Sequence, residues 1–224
     1  MSRLRKLAPL GIGLSVVGML FLSTACGSSS AKVRVMNTFA NVSSIDMLIN
    51  NQTIASGIAY GAASAYSSAS SGSHNLVINV SGGSSALINQ TVDLGSGSTS
   101  TILATNSGAV VLGDDNSSPS SGNVKIRVIN GSPTLGAADV YVVPSGTDIA
   151  TVNPPTFSSL AYQSASTYDA VAAGSYQVIF TLPGQKFQEI TSSSFSFSGG
   201  QIRSVVALDT QGGGFTTAVL SDLN

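Results

Sequence analysis

The sequence predicts an all-β protein built from two tandem immunoglobulin-like β-sandwich domains. Three observations carry that expectation. Short motifs return in the same order after about 100 residues, apolar residues alternate with period two between turn-forming clusters, and no segment after residue 25 shows a helical apolar stripe.

The first element is not part of the fold. Arg3, Arg5 and Lys6 precede an uncharged apolar run that reaches Leu22, the n-region and h-region of an export signal. Ser23, Thr24 and Ala25 then lead to Cys26, the only cysteine of the 224 residues. This order resembles a bacterial lipobox, with Ser23 where such motifs usually carry Leu and Leu22 one place further back. The resemblance implies a lipoprotein signal peptide over 1–25, removed to leave Cys26 as a lipidated N-terminus. Two or three acyl chains hold a protein on a membrane where one does so only marginally. Residues 26–30, the lipidated cysteine and "GSSS", then serve as a flexible tether. The expected location is exported and lipid-anchored to a bacterial membrane, facing the periplasm or the cell surface.

Beyond residue 25, six basic residues stand against all ten acidic ones, a net charge of −4. Nothing forms a basic patch able to neutralise phosphates, so nucleic acid is not an expected partner. Charged residues make up 8% of the chain, against about 25% in an average soluble protein, and Ser, Thr, Asn and Gly take their place. Without a second cysteine no internal disulfide can form, and stability has to come from core burial.

The repeat defines the domains. "VRVMN" at 33–37 returns as "IRVIN" at 126–130, and "IDMLI" at 45–49 as "ADVYV" at 138–142, both at an offset of 93. "AYGAASAYSSASSGSHNLVI" at 59–78 aligns with "AYQSASTYDAVAAGSYQVIF" at 161–180, now at an offset of 102, so the second copy holds about nine extra residues near "PSGTDIATVNPP". "TILA" at 101–104 answers "SVVA" at 204–207. A period near 100 residues is a tandem pair of domains and not a solenoid. The expected units are 31–112 and 123–224, each folding by itself, with 113–122 ("GDDNSSPSSG") as a solvated linker.

Within each copy the strands are short and β-branched, separated by Gly, Pro, Asn and Ser every 8 to 12 residues or so. Tyr176, Val178, Phe180 and Leu182 point one way, with Gln177, Ile179 and Thr181 opposite. By the same alternation Arg34 and Arg127, and Asp46 and Asp139, face solvent, where neighbouring strands pair them.

Together "IRVINGSP", "ADVYV", Ala-Tyr-Gly or Ala-Tyr-Gln with a second tyrosine six residues on, "AAGSYQV" and a late "VVAL" resemble the bacterial domain-of-unknown-function family 4397. The resemblance runs once per copy and is closer in the second. It implies a β-sandwich module on exported proteins, and no reaction.

Catalytic and metal motifs give little. Gly-x-Ser-x-Gly, Gly-x-Gly-x-x-Gly, the phosphate-binding loop and His-Glu-x-x-His are all absent from the sequence. His74 is the only histidine, so any Ser-His-Asp triad must use it; its repeat mate is Tyr176, which makes a half-buried ring at the sandwich edge the expectation. Asp114, Asp115 and Asn116 offer oxygens, but a calcium loop starting at Asp114 lacks its Gly at Pro119 and its Glu at Lys125. No cofactor, metal or catalytic residue is expected.

The candidate binding residues are therefore aromatic: Tyr60 and Tyr66, repeated as Tyr162 and Tyr168, and Phe157 at the end of the inserted loop, about 143–157. A corner-bracing role for the tyrosines competes with a binding role. The expected function is a noncatalytic, lipid-anchored cell-envelope protein whose sandwiches act as binding, adhesion or spacer modules. Its partners are the membrane, through the lipid on Cys26, and an envelope protein or glycan. A carbohydrate-binding surface lipoprotein is the alternative reading, and a hydrolase using His74 the third.

Overall fold

The computed structural model describes residues 29–222. The expected signal peptide over 1–25 and the expected lipidation site Cys26 lie outside them.

Among the described residues all regular structure is strand, apart from one 3-10 turn at Ile149–Thr151. The first copy contributes β1 (Ser30–Asn37), β2 (Ser44–Ile49), β3 (Gln52–Ala59), β4 (Ser67–Ser70), β5 (Gly72–Val80), β6 (Ala86–Leu94), β7 (Thr99–Thr105) and β8 (Gly108–Gly113). They form two four-stranded sheets, ordered β4-β1-β7-β8 and β3-β2-β5-β6. The second copy contributes β9 (Asn123–Asn130), β10 (Ala138–Pro144), β11 (Phe157–Leu160), β12 (Ser164–Ala165), β13 (Asp169–Ala172), β14 (Gly174–Thr181), β15 (Gln188–Thr191), β16 (Phe195–Phe197), β17 (Ile202–Asp209) and β18 (Phe215–Ser221). Its sheets run β12-β9-β17-β18, with β13 also on β9, and β11-β10-β14-β15, with β16 on β14.

Every named strand pair joins strands of one copy, so the chain is two tandem β-sandwiches. Each encloses its own core. Val33, Val35, Ile45, Met47, Leu76 and Ile78 lie in the first, and Val128, Val140, Val178, Phe180 and Val205 in the second, all fully buried. One parallel pairing sits at the heart of each copy, β1 with β7 and β9 with β17.

A third core lies between the copies. Met36, Leu103, Ile129, Val206, Leu208 and Leu220 are buried there, with Leu112, Ala63 and Ala165 packed against them. The sheets that carry β1 and β9 are thus covered on both faces, by their own sandwich on one side and by the other copy on the opposite side. That explains the burial of Arg34 and Arg127, at 2% and 1% exposed. The expectation that they face solvent is corrected: alternation turns them away from their own core, and the face they turn to is occupied by the other copy.

The insertion of the second copy also has a packing role. Ile149 is buried and Val152 partly so, against Tyr141, Val143 and Ile179 on the outward face of the β10–β14 sheet. Lys186 reaches over it, donating to the Val152 carbonyl and standing 4.5 Å over the Tyr141 ring. The extra residues act as a strap across an apolar sheet face.

Candidate functional site

The junction of the two sandwiches gathers most of the chemistry of the chain. Arg34 on β1 and Arg127 on β9 hold repeat-equivalent positions, and each reaches across to a carboxylate that ends an edge strand of the other copy. Arg34 pairs with Asp222, just past β18, and Arg127 pairs with Asp114, just past β8. Both carboxylate side chains are fully buried. Each guanidinium is fixed by three nitrogens. Arg34 Nε donates to Thr101 Oγ1 at 2.8 Å, Nη1 to the Ser221 carbonyl at 2.8 Å and Nη2 to Asp222. Arg127 repeats this with Ser204 Oγ at 2.8 Å, the Gly113 carbonyl at 2.8 Å and Asp114.

The two tyrosines close the arrangement into a ring. Tyr66 donates its hydroxyl to Asp114 at 2.5 Å while its face lies under Arg34, 4.6 Å from the guanidinium carbon. Tyr168 donates to Asp222 at 2.8 Å under Arg127, at 4.8 Å. The circuit Arg34, Asp222, Tyr168, Arg127, Asp114, Tyr66 crosses the junction twice and has a pseudo-two-fold symmetry. Burial pushes both phenols well above their ordinary pKa, with the hydrogen bond to Asp114 adding to the rise at Tyr66 and the Asp222 charge at Tyr168. Both stay neutral and able to donate. Buried pairs of this kind contribute little net stability over apolar replacements, but breaking one partner is costly. They fix the orientation of docking, because a half turned about would strand a buried guanidinium without its carboxylate.

Asp114 is thus no part of a solvated linker, the first correction at this site. Asp115, next to it, pairs with Lys125 Nζ, and hydrogen bonds from Lys125 and Ser117 hold its carboxyl down at about 2. The carboxylates of Asp114 and Asp115 are thus committed to cations of the chain itself.

Arg34 and Asp46 do not meet, since β1 and β2 lie in different sheets. Asp46 instead accepts from Ser56 Oγ at 2.7 Å, Gly57 N at 2.8 Å, Ser81 Oγ at 2.7 Å and Gly82 N at 3.3 Å. The Ser81 bond leads in holding its carboxyl at about 2. Asp139 does the same work in the second copy, accepting from Ser159 N and Gly184 N, both at 2.8 Å. Each pins a bulged strand to a neighbouring turn.

Tyr60 donates to the Asp209 carbonyl across the junction, whereas the hydroxyl of its mate Tyr162 is buried with no hydrogen-bond partner. Phe157 is half-buried against the second core. None of the five aromatic candidates forms an exposed ridge. Among the described residues the exposed aromatic is Phe187, 75% exposed between β14 and β15, which sequence reasoning did not single out.

His74 is buried, with both ring nitrogens engaged. Nε2 faces the Ser70 carbonyl oxygen at 2.7 Å and so carries the proton; Nδ1 accepts from Asn50 Nδ2 at 2.9 Å. Tyr176 bonds the repeat-equivalent carbonyl of Ala172 at 2.9 Å. The two side chains do one structural job.

Two clefts flank the buried ring at symmetry-related places. One, of about 480 Å³, lies between Leu112 and Gly113 at the end of β8 and Ala165–Tyr168 of the second copy. The other, of about 390 Å³, lies between Leu220 and Ser221 at the end of β18 and Gly61–Ser64 of the first. Arg127 and Arg34 line them, with hydrogen-bonding capacity largely spent internally, so the walls offer backbone and hydroxyl groups more than free charge.

Fold and junction define the class: a tandem β-sandwich protein whose two halves dock into one body. Residues 31–141 match the model of the family described as "Domain of unknown function (DUF4397)", so this stretch is similar to a domain of that family. The match spans the first copy and runs on into β10, where the sequence resemblance had suggested one match per copy. No curated protein matches the sequence. Among solved structures, a carbohydrate-binding module of family CBM26 from Eubacterium rectale Amy13K, in complex with maltoheptaose, aligns at 11% identity over 87% of this chain and 98% of its own, with a TM-score of 0.29. A leucine-rich repeat protein from Bacteroides thetaiotaomicron aligns at 14% identity over 79% of this chain and 25% of its own, with a TM-score of 0.22. A putative cell adhesion protein from Bacteroides eggerthii aligns at 8% identity over 87% and 95%, with a TM-score of 0.18. Such scores fall short of a shared fold.

Proposed function

We propose that this chain is a noncatalytic binding or adhesion module of the bacterial cell envelope, anchored through lipid on Cys26. The observation that carries the noncatalytic reading is the duplication of structural roles. The sole histidine makes the bond that a tyrosine makes in the other copy, and the buried Arg, Asp and Tyr groups are spent, in matched pairs, on holding the copies together. Within this reading the side-by-side docking favours a compact binding body over an extended spacer.

The test is an affinity pull-down from envelope material with residues 27–224 lacking the lipid, beside variants that fill each cleft, Ala63→Trp and Thr167→Trp. Reproducible capture of an envelope protein or glycan supports the module. Hydrolysis of ester or peptide substrates that disappears in His74→Ala, with the fold retained, would overturn it. Mass spectrometry of the membrane-extracted N-terminus tests the anchor: diacylglyceryl on Cys26 is expected, and an intact Met1 refutes it.

A further inference from the structure

The residues that dock the two copies come in repeat-equivalent pairs. Met36 and Ile129, Leu103 and Val206, Leu112 and Leu220, and Ala63 and Ala165 furnish the apolar contact from both sides. Each copy also brings one guanidinium and one carboxylate to the junction, Arg34 and Asp114 from the first, Arg127 and Asp222 from the second. A face that carries both halves of its own complement, related by a two-fold operation, is the isologous interface of a symmetric dimer. Here both sides happen to be supplied by one chain.

Only residues 114–122 make the docking intramolecular. We propose that the docking face takes a second copy of this chain as partner, two chains exchanging halves so that Arg34 of each pairs with Asp222 of the other and Arg127 with Asp114. No new contact is needed, since the exchanged dimer repeats every bond of the closed monomer. What separates the two forms is effective concentration. A short flexible connection supplies on the order of millimolar, falling toward zero when the connection cannot span its sites.

The geometry indicates how to shift that balance. Asp114 has to stand beside Arg127, which lies four residues, about 13 Å, along β9 from Asn123. Removing residues 116–121 leaves Asp114 three residue steps from Asn123, at most about 11 Å, where nine steps now join them. Short hinges favour exchange.

The deletion variant is expected to be a dimer by light scattering at about 10 μM, with β-type circular dichroism. Adding Leu103→Glu, which places a charge in the third core, should abolish the dimer. Wild-type chain refolded at about 1 mM should yield an exchanged dimer that is absent when refolding is done at 1 μM. A folded, monomeric deletion variant overturns the proposal, and so does a dimer that survives Leu103→Glu. Should the deletion variant fail to fold, the wild-type arm decides, and refolding at 1 mM to monomer alone refutes self-complementarity.

Discussion

Replacing Asp222 with Ala removes the carboxylate that closes one half of the buried ring. In the intact protein that side chain is fully buried and accepts from Arg34 Nη2, from Tyr168 Oη at 2.8 Å and from Ser204 Oγ at 3.0 Å. Its loss leaves Arg34, 2% exposed, with its bonds to Thr101 and the Ser221 carbonyl but no counter-charge. Breaking one partner of a buried pair costs about 3–5 kcal/mol. At about 2–4 °C per kcal/mol for a chain of this size, Tm should fall by roughly 6–20 °C. Replacing the whole pair, Arg34→Met with Asp222→Leu, removes the stranded charge and should recover at least half of the loss. Urea unfolding followed by far-UV circular dichroism measures all three variants against wild type. Asp114→Ala serves as an internal repeat, because the mirrored bonds predict a loss of similar size. A loss below about 1 kcal/mol for Asp222→Ala, the worth of an exposed pair, would refute the reasoning. A double variant that costs as much as Asp222→Ala alone would do the same.

Alkaline pH should unfold the protein cooperatively: Tyr66 and Tyr168 have folded pKa values raised above the unfolded 10, so their contribution is intact below pH 10 and is lost as pH rises beyond it, by up to about 1.4 kcal/mol per pH unit each. Absorbance at 295 nm should show these phenols ionising in one step with the loss of circular dichroism; smooth independent titration of all six tyrosines near pH 10 would contradict this. Asp46, held at about 2, contributes stability that is present above about 3.8 and lost as pH falls through 2, so NMR should find its carboxyl ionised at pH 3, and Asp46→Ala should cost about 1–2 kcal/mol near neutral pH. Ile149→Ala, in the strap over the outer sheet, should cost about 2–4 kcal/mol by urea unfolding, and a change below about 0.5 kcal/mol would return that loop to the status of an idle connection.

The two-copy plan was readable because period-two alternation and repeated turn residues are local properties. The docking of the copies was not, for two reasons. Alternation says which side of a sheet a residue leaves by but not what waits there, and Arg34 leaves toward the second sandwich. The near-continuous apolar character of "TILA" and "SVVA" was the available signal, since strands buried on both faces lose the polar alternation. Asp114 was obscured by its setting among Gly, Ser and Pro. Its role shows once "VLGD" at 111–114 is laid over "VLSD" at 219–222, a fifth repeat match, at an offset of 108. Phe187 escaped notice because exposure is decided by the hairpin that carries it and not by composition.

The pair between Arg34 and Asp222 also fixes how the two ends of the described segment, 29–222, lie. Arg34 is four residues, about 13 Å, from the start of β1 at Ser30, so the last described residue is held close to the first. A linker of about five Gly and Ser residues joining them, with new ends opened among residues 116–121, should give a circular permutant that keeps both sandwiches and their junction. Under the proposed lipid anchor on Cys26, the same proximity places anything fused after Asp222 on the tethered side of the body.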